Sequence, residues 1–256
     1  MAELNPSSHI SQKKDELPQS LLIVEDDEFN QTLIRYWIQK FGYQFHLVSD
    51  AEQAFEHLKN QIYDLTLMDI QLPVMDGFQA TQIIRSEIDP FMPILALTAD
   101  ELSEKLAGAM NHGMNGLVRK PFQQAHLKSE IEKAIYVREQ ERKKQITKSL
   151  DLLLGQSDLA FLKDLMEDFF SFQDRTNQAL DEFILNHSLE KVTRMGHQLK
   201  SIALTIGAQD LAFYGRYFEN LKENETQVIC FSNRLMREYD LCIKEVRSYL
   251  SSSESL

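Results

Sequence analysis

Leu21-Leu22-Ile23-Val24-Glu25-Asp26-Asp27 is a short apolar run of β type that stops at three consecutive acids. Four further runs of the same kind follow it: Phe45 to Val48, Leu65 to Met68, Ile94 to Leu97 and Leu117 to Val118. Between the first two, Phe29, Leu33, Trp37 and Phe41 recur at helical spacing, and Gly42 is placed to end that helix. Alternation of strand and helix over residues 20–122 predicts a five-stranded parallel sheet with helices on both faces and right-handed crossovers. Binding sites then lie beyond the carboxyl ends of the strands.

Those ends carry a consistent chemistry. Glu25, Asp26 and Asp27 follow the first strand, and Asp69-Ile70-Gln71-Leu72-Pro73-Val74-Met75-Asp76-Gly77 follows the third. Thr98-Ala99 follows the fourth and Arg119-Lys120-Pro121-Phe122 the fifth. Parallel topology gathers them. Clustered carboxylates suit a hard divalent cation, and Mg²⁺ is the usual choice where phosphate shares the coordination shell. A lysine and a hydroxyl nearby can neutralise and orient phosphoryl oxygens, and phosphoryl transfer asks for little beyond in-line positioning and charge neutralisation. An acidic pair, a Thr-Ala step or a Lys-Pro step alone would be ordinary punctuation of strands and helices. Four such pieces in order, each after its own strand, carry the reading.

Residues 20 to about 122 resemble the receiver domain of two-component response regulators, with its flavodoxin-like doubly wound sheet. The resemblance implies Asp69 as phosphate acceptor, with Asp26, Asp69 and the main-chain carbonyl of Gln71 binding Mg²⁺ and Glu25 completing the acidic pair through water. It makes Thr98 the switch hydroxyl and Lys120 the phosphate-contacting lysine, with a cis bond before Pro121. Asp27 falls outside the site. Leu117 stands where receivers often carry an aromatic switch residue, which counts against aromatic rotation as the readout.

Residues 123–147 lack Pro and Gly and read as a long helix leaving the first domain. Its apolar spacing (Leu127, Ile131, Ala134, Ile135) persists to about Val137, after which Arg138 to Lys144 reads as a solvated charge run on an exposed connector. After Ser149 the β signals stop. Four helical segments follow, roughly Asp158 to Ile184, Ser188 to Ile206, Ala208 to Lys222 and Thr226 to Leu250, which suit an antiparallel four-helix bundle. The expected division is therefore a tail over 1–19, a receiver core over 20–122, a terminal helix and linker over 123–149, a bundle over 150–250 and a short tail over 251–256.

On the second bundle segment Val192, Met195, Leu199, Ile202, Ala203 and Ile206 form one apolar stripe, the expected core side. His197, Lys200, Ser201 and Leu204 share another face, so His197 is predicted to point outward with Lys200 one turn away to attract phosphate. The run His197-Gln198-Leu199-Lys200-Ser201, with Gly207-Ala208 after it, resembles the histidine phosphotransfer domain over about residues 150–250. Ser201 and Ile202 depart from the small residues common there. The resemblance implies that His197 carries a phosphoryl group and that Lys200 assists. Tyr214, Tyr217 and Phe218 are expected to pack against the His197 helix or its rim.

The combined expectation is a phosphorelay protein whose partners are a sensor histidine kinase and other receiver domains. The alternative is a phosphorylation-gated interaction module in which His197 is not a phosphoacceptor. The chain has no Gly-rich phosphate loop of its own for ATP; its 9 glycines are scattered. A net charge of -12, shared by both halves (16 basic against 22 acidic residues through Lys148, 11 against 17 after it), argues against a nucleic-acid surface. Cys230 and Cys242 lack metal-site spacing and read as small apolar residues of a late helix in a reducing compartment. With no apolar stretch of spanning length and a polar Met1 to Gln19, the expected location is cytoplasmic, away from membranes.

Overall fold

The computed structural model describes residues 19–99, 108–186, 189–221 and 225–253, so the expected tails fall largely outside the described residues. Five strands, β1 (Ser20–Val24), β2 (Gln44–Val48), β3 (Leu65–Asp69), β4 (Ile94–Thr98) and β5 (Gly116–Arg119), form one sheet in the order β2-β1-β3-β4-β5. Every pairing is parallel.

Alternation along the strands sorts the side chains into two cores. Leu21 and Ile23 of β1, Leu65 and Leu67 of β3 and Val118 of β5 face α1 (Glu28–Phe41) and the first half of α4 (Gln124–Leu154). Leu22, Val24, Met68, Ala96 and Leu117 face α2 (Ala51–Asn60) and α3 (Gly77–Ile83), which continues into a π-helical turn at Ile84–Ile88. The sheet is thus wound on both faces, in the flavodoxin-like manner. Strand order switches at β1, with β2 laid down on one side of it and β3 on the other, so the carboxyl ends of β1 and β3 open a crevice at that switch point.

Helix starts follow their caps. Asp27, Asp50 and Asp76 each accept a bond from the backbone N–H three residues on, opening α1, α2 and α3. Gly42 ends α1 in the left-handed conformation, φ +84°. The sequence stripe of α1 is shifted in the fold: Ile34 and Ile38 are its buried residues, Leu33, Trp37 and Phe41 are partly buried, and Phe29 is exposed.

The C-terminal region is helical: α5 (Leu159–Asn186), α6 (Leu189–Thr205), α7 (Gln209–Glu219) and α8 (Glu225–Ser253). Its core gathers Met166 and Phe169 of α5, Leu199 and Ala203 of α6, Leu211 and Phe218 of α7, and Leu235, Tyr239 and Cys242 of α8. Tyr239 stacks on Phe169 and donates to its carbonyl at 2.9 Å. Cys242 is buried there with a free thiol; Cys230 lies in α8 with its side chain outside the description. Ile146 and Leu150 of α4 belong to this same core. One uninterrupted helix therefore anchors in one of the receiver's cores and in the helical core, and runs to Leu154, beyond the expected linker end at 149.

The charge run on α4 is not wholly solvated. Arg142 is buried and Arg138 partly so, because both meet side chains from other helices. Periodicity registers a charge as outward; it does not register what lies opposite. No helix among the described residues is long and apolar enough to cross a membrane.

Candidate functional site

Two clusters of reactive side chains stand out, one at each predicted place. At the carboxyl ends of β1 and β3, ligand oxygens of Glu25, Asp26 and Asp69 lie within 4.8 Å of one another. Glu25 and Asp69 are buried and Asp26 is exposed, so the group opens to solvent on one side. Lys120 enters from the end of β5, its Nζ 2.6 Å from Asp69 Oδ2 and 2.6 Å from Glu25 Oε2. The other Asp69 oxygen accepts from the Gln71 N–H at 3.0 Å.

Burial raises the Glu25 carboxyl above the ordinary carboxylate range; the Lys120 bond opposes this and the Asp69 charge adds to it. Asn30 of α1 donates to Glu25 at 3.0 Å, and Gln31 donates to its backbone carbonyl at 2.6 Å. Neither amide was singled out from the sequence. Both hold the acidic corner in place.

Thr98 ends β4, buried, and its carbonyl accepts from the Lys120 N–H at 2.7 Å. The Lys120–Pro121 bond is cis. Gly77 matters through what it lacks: a Cβ there would come 2.1 Å from the Asp69 carbonyl. Only glycine lets α3 begin against the backbone of the Asp69 loop. Asp27 caps α1, which gives it a role apart from the cluster.

The second cluster lies on α6. His197 is exposed, and its Nδ1 is 2.7 Å from Glu219 Oε1 of α7. The second Glu219 oxygen accepts from Lys200 Nζ. Glu219 is the residue sequence reasoning missed; it lies on another helix, with no pattern linking it to His197. Its carboxyl is held below the usual range, first by the His197 bond and then by the Lys200 bond. An ionised carboxylate only accepts, so Nδ1 carries the proton and Nε2 of a neutral ring keeps its lone pair.

Two glycines make this contact possible. A Cβ on Gly196 would meet the Glu219 nitrogen at 2.4 Å, and one on Gly215 would meet the Lys200 nitrogen at 2.6 Å. Backbone therefore packs on backbone where α6 crosses α7. The stripe behind His197 is buried as predicted at Val192, Met195, Leu199, Ala203 and Ile206, with Ile202 partly so. Ser201 and Leu204 are exposed on the His197 side. Gly207 turns the chain with φ +75°, and a Cβ there would strike the Gln145 carbonyl of α4. Tyr214 and Phe218 are buried in the helical core, and Tyr217 stacks on Phe231 at 3.8 Å.

Residues 21–132 match the response regulator receiver domain family. The chain is 39% identical over 109 residues to Transcription factor SKN7 of Saccharomyces cerevisiae, covering 43% of this chain and 17% of that protein. It is 35% identical over 123 residues to Hybrid signal transduction histidine kinase K of Dictyostelium discoideum, covering 45% of this chain and 10% of that protein. It thus spans under a fifth of the length of these curated relatives. Among solved structures, the receiver domain of sensor histidine kinase PA1611 from Pseudomonas aeruginosa PAO1, described with a magnesium ion coordinated in its active site cleft, is 40% identical. That match covers 46% of this chain and 98% of the other, with a TM-score of 0.44. The parallel sheet, the acid cluster at its carboxyl edge and the family match agree: residues 21–132 of this chain are a response regulator receiver domain.

Proposed function

We propose that the chain is a phosphorelay protein in which Asp69 accepts a phosphoryl group and His197, on a histidine phosphotransfer four-helix bundle built from α5 to α8, carries one. The observation that supports the second half best is the His197–Glu219 pair: an exposed imidazole held by Nδ1 leaves Nε2 as a nucleophile facing solvent. A sensor histidine kinase is the donor to Asp69, and other receivers are the partners of His197. Two relatives are named as a histidine kinase and a sensor kinase/phosphatase, in keeping with that donor.

At Asp69, a carboxylate oxygen attacks the phosphorus of the donor phosphohistidine; an O–P bond forms and the N–P bond breaks, returning the pair to the donor imidazole. Lys120, in contact with Asp69 and Glu25, would bond a phosphoryl oxygen, and Thr98, the last residue of β4, would supply a hydroxyl. Glu25, Asp26 and Asp69, with the Gln71 carbonyl, would hold Mg²⁺. Three carboxylates against one ammonium leave a net negative, all-oxygen donor set, which fits a hard divalent cation. When bound, the ion supplies charge neutralisation for the phosphoryl oxygens. At His197 the sense is reversed: Nε2 takes the phosphorus, and the acyl phosphate oxygen leaves as a carboxylate. Glu219 holds the ring, and Lys200 attracts the incoming group.

The test is phosphotransfer from candidate kinases and phosphorylated receivers to wild-type, Asp69→Asn and His197→Gln chains. Acyl phosphate is lost in mild base and phosphohistidine survives it. Base-labile label confined to chains with Asp69 and base-stable label confined to chains with His197 are expected. Base-stable label persisting in His197→Gln would return the bundle to the rival role of a phosphorylation-gated interaction surface.

A further inference from the structure

The helical region touches the receiver at the wrong end of the sheet for its own acceptor. Arg237 of α8 pairs with Asp64, the residue before β3. Arg234 bonds Asp89 at 3.0 Å and the carbonyls of Leu58 and Gln61 at the end of α2. Arg138 of α4 pairs with Asp210 of α7 and stacks over Phe91, whose ring lies 6.1 Å from Phe213. All these receiver groups sit at the amino ends of the strands. Asp69 sits at the carboxyl end of β3, on the order of 17 Å from Asp64 at ~3.3 Å per residue.

His197 is turned away as well. Asp210 and Tyr214 of α7 line the interdomain side, while Glu219, which holds the imidazole, lies nine residues beyond Asp210. Nine residues are about 900°, half a turn out of phase, and roughly 13 Å along the axis. The acceptor carboxylate and the imidazole therefore point outward from opposite sides of the contact.

The joint between them offers no hinge. α4 runs from Gln124 to Leu154 without Pro or Gly, with Leu127, Ile131 and Ile135 in the receiver core and Ile146 and Leu150 in the helical core. Phosphoryl transfer needs reacting atoms about 3–3.5 Å apart. Reaching that within one chain means breaking the helix and stripping three arginines from buried or half-buried partners.

We infer that His197 exchanges phosphate with a receiver on a separate polypeptide and not with Asp69 of its own chain. The inference rests on the proposed function. Its test uses the full chain phosphorylated at Asp69 by acetyl phosphate with Mg²⁺, with base-stable phosphohistidine as readout. Transfer between molecules depends on concentration, whereas a tethered pair holds a fixed effective concentration. Any phosphohistidine formed by wild type should thus fall about tenfold in rate per chain on tenfold dilution. The Asp69→Ala chain should be labelled at His197 by a receiver on another polypeptide, supplied either as phosphorylated His197→Gln chain or as phosphorylated receivers of hybrid kinases.

Labelling of wild type at a rate unchanged by dilution would overturn the inference and leave the proposed function standing. Failure of every receiver, own or foreign, to label His197 would remove the proposed function and the inference with it.

Discussion

Lys120 bonds two carboxylates at once, and the proposed acceptor is therefore held by charge as well as by position. Asp69→Asn keeps the side chain's shape and the Gln71 N–H bond while removing the anionic oxygen. It should fold, melt near wild type and show no base-labile phosphate after incubation with acetyl phosphate. Asp26→Ala is the companion case: one of three clustered ligands is lost, so Mg²⁺ affinity measured by titration calorimetry should fall, with the fold intact because Asp26 is exposed. At the second cluster, Gly196→Ala should destabilise by about 1–3 kcal/mol, since the new methyl must push α7 away. Chemical denaturation would read that loss. The same change should slow phosphotransfer with the imidazole still present, because Glu219 moves with α7. Unchanged stability in Gly196→Ala would mean that the two backbones are not in contact.

At the scale of elements, the strands were legible as short bounded apolar runs, and four of the five end at or next to a proposed site residue. Asp69, Thr98 and Lys120 are neighbours in space for a reason visible in one dimension: parallel strands put their carboxyl ends together. The outward His197 was legible from the stripe behind it. Glu219, Arg234 and Arg237 were not, since their partners lie on other elements and no periodicity joins them. Arg142 shows the same limit from the other side: one charge in a polar run, it is buried with Nη1 3.5 Å from Glu238. Burial, and then Asp210, push the Glu238 carboxyl up to about 7, against Arg142 and Arg138 of α4; Asp89 before β4 adds to the rise. The raised value means that the folded protein holds this proton where the unfolded chain has released it. Its contribution is complete below about 4.5 and lost as pH rises through about 7. Melting temperature should accordingly carry a component that declines from pH 5 to 8, and Glu238→Gln should flatten it. An identical pH profile in that variant would exclude Glu238 as the source.

Across the whole molecule, the receiver and the helical region are tied by one helix on one side and by arginines of α8 on the other. Arg234 carries most of the second tie: it is 2% exposed and serves both Asp89 and the last carbonyls of α2, which a helix end leaves without partners. Arg234→Ala should cost about 3 kcal/mol, because a buried ion pair with Asp89 is broken and the Leu58 and Gln61 carbonyls lose their donor. Calorimetry should then resolve two melting steps, against a single expected step for wild type. A single unshifted transition in Arg234→Ala would show the two halves to be coupled through α4 alone.

The shared helix also sets a phase relation. Ile135, in the receiver core, and Ile146, in the helical core, are eleven residues apart, three full turns to within about 20°. Removing one residue between them would swing the helical region by about 100° around the receiver, carrying Arg234 and Arg237 off Leu58 and Asp64. Seven added residues would restore the bearing to within about 20° while moving the helical region roughly 10 Å away. Bearing and distance thus cannot both be recovered by any short insertion. Along this stretch, Arg138 and Arg142 apart, it is the number of residues more than their identity that fixes the arrangement.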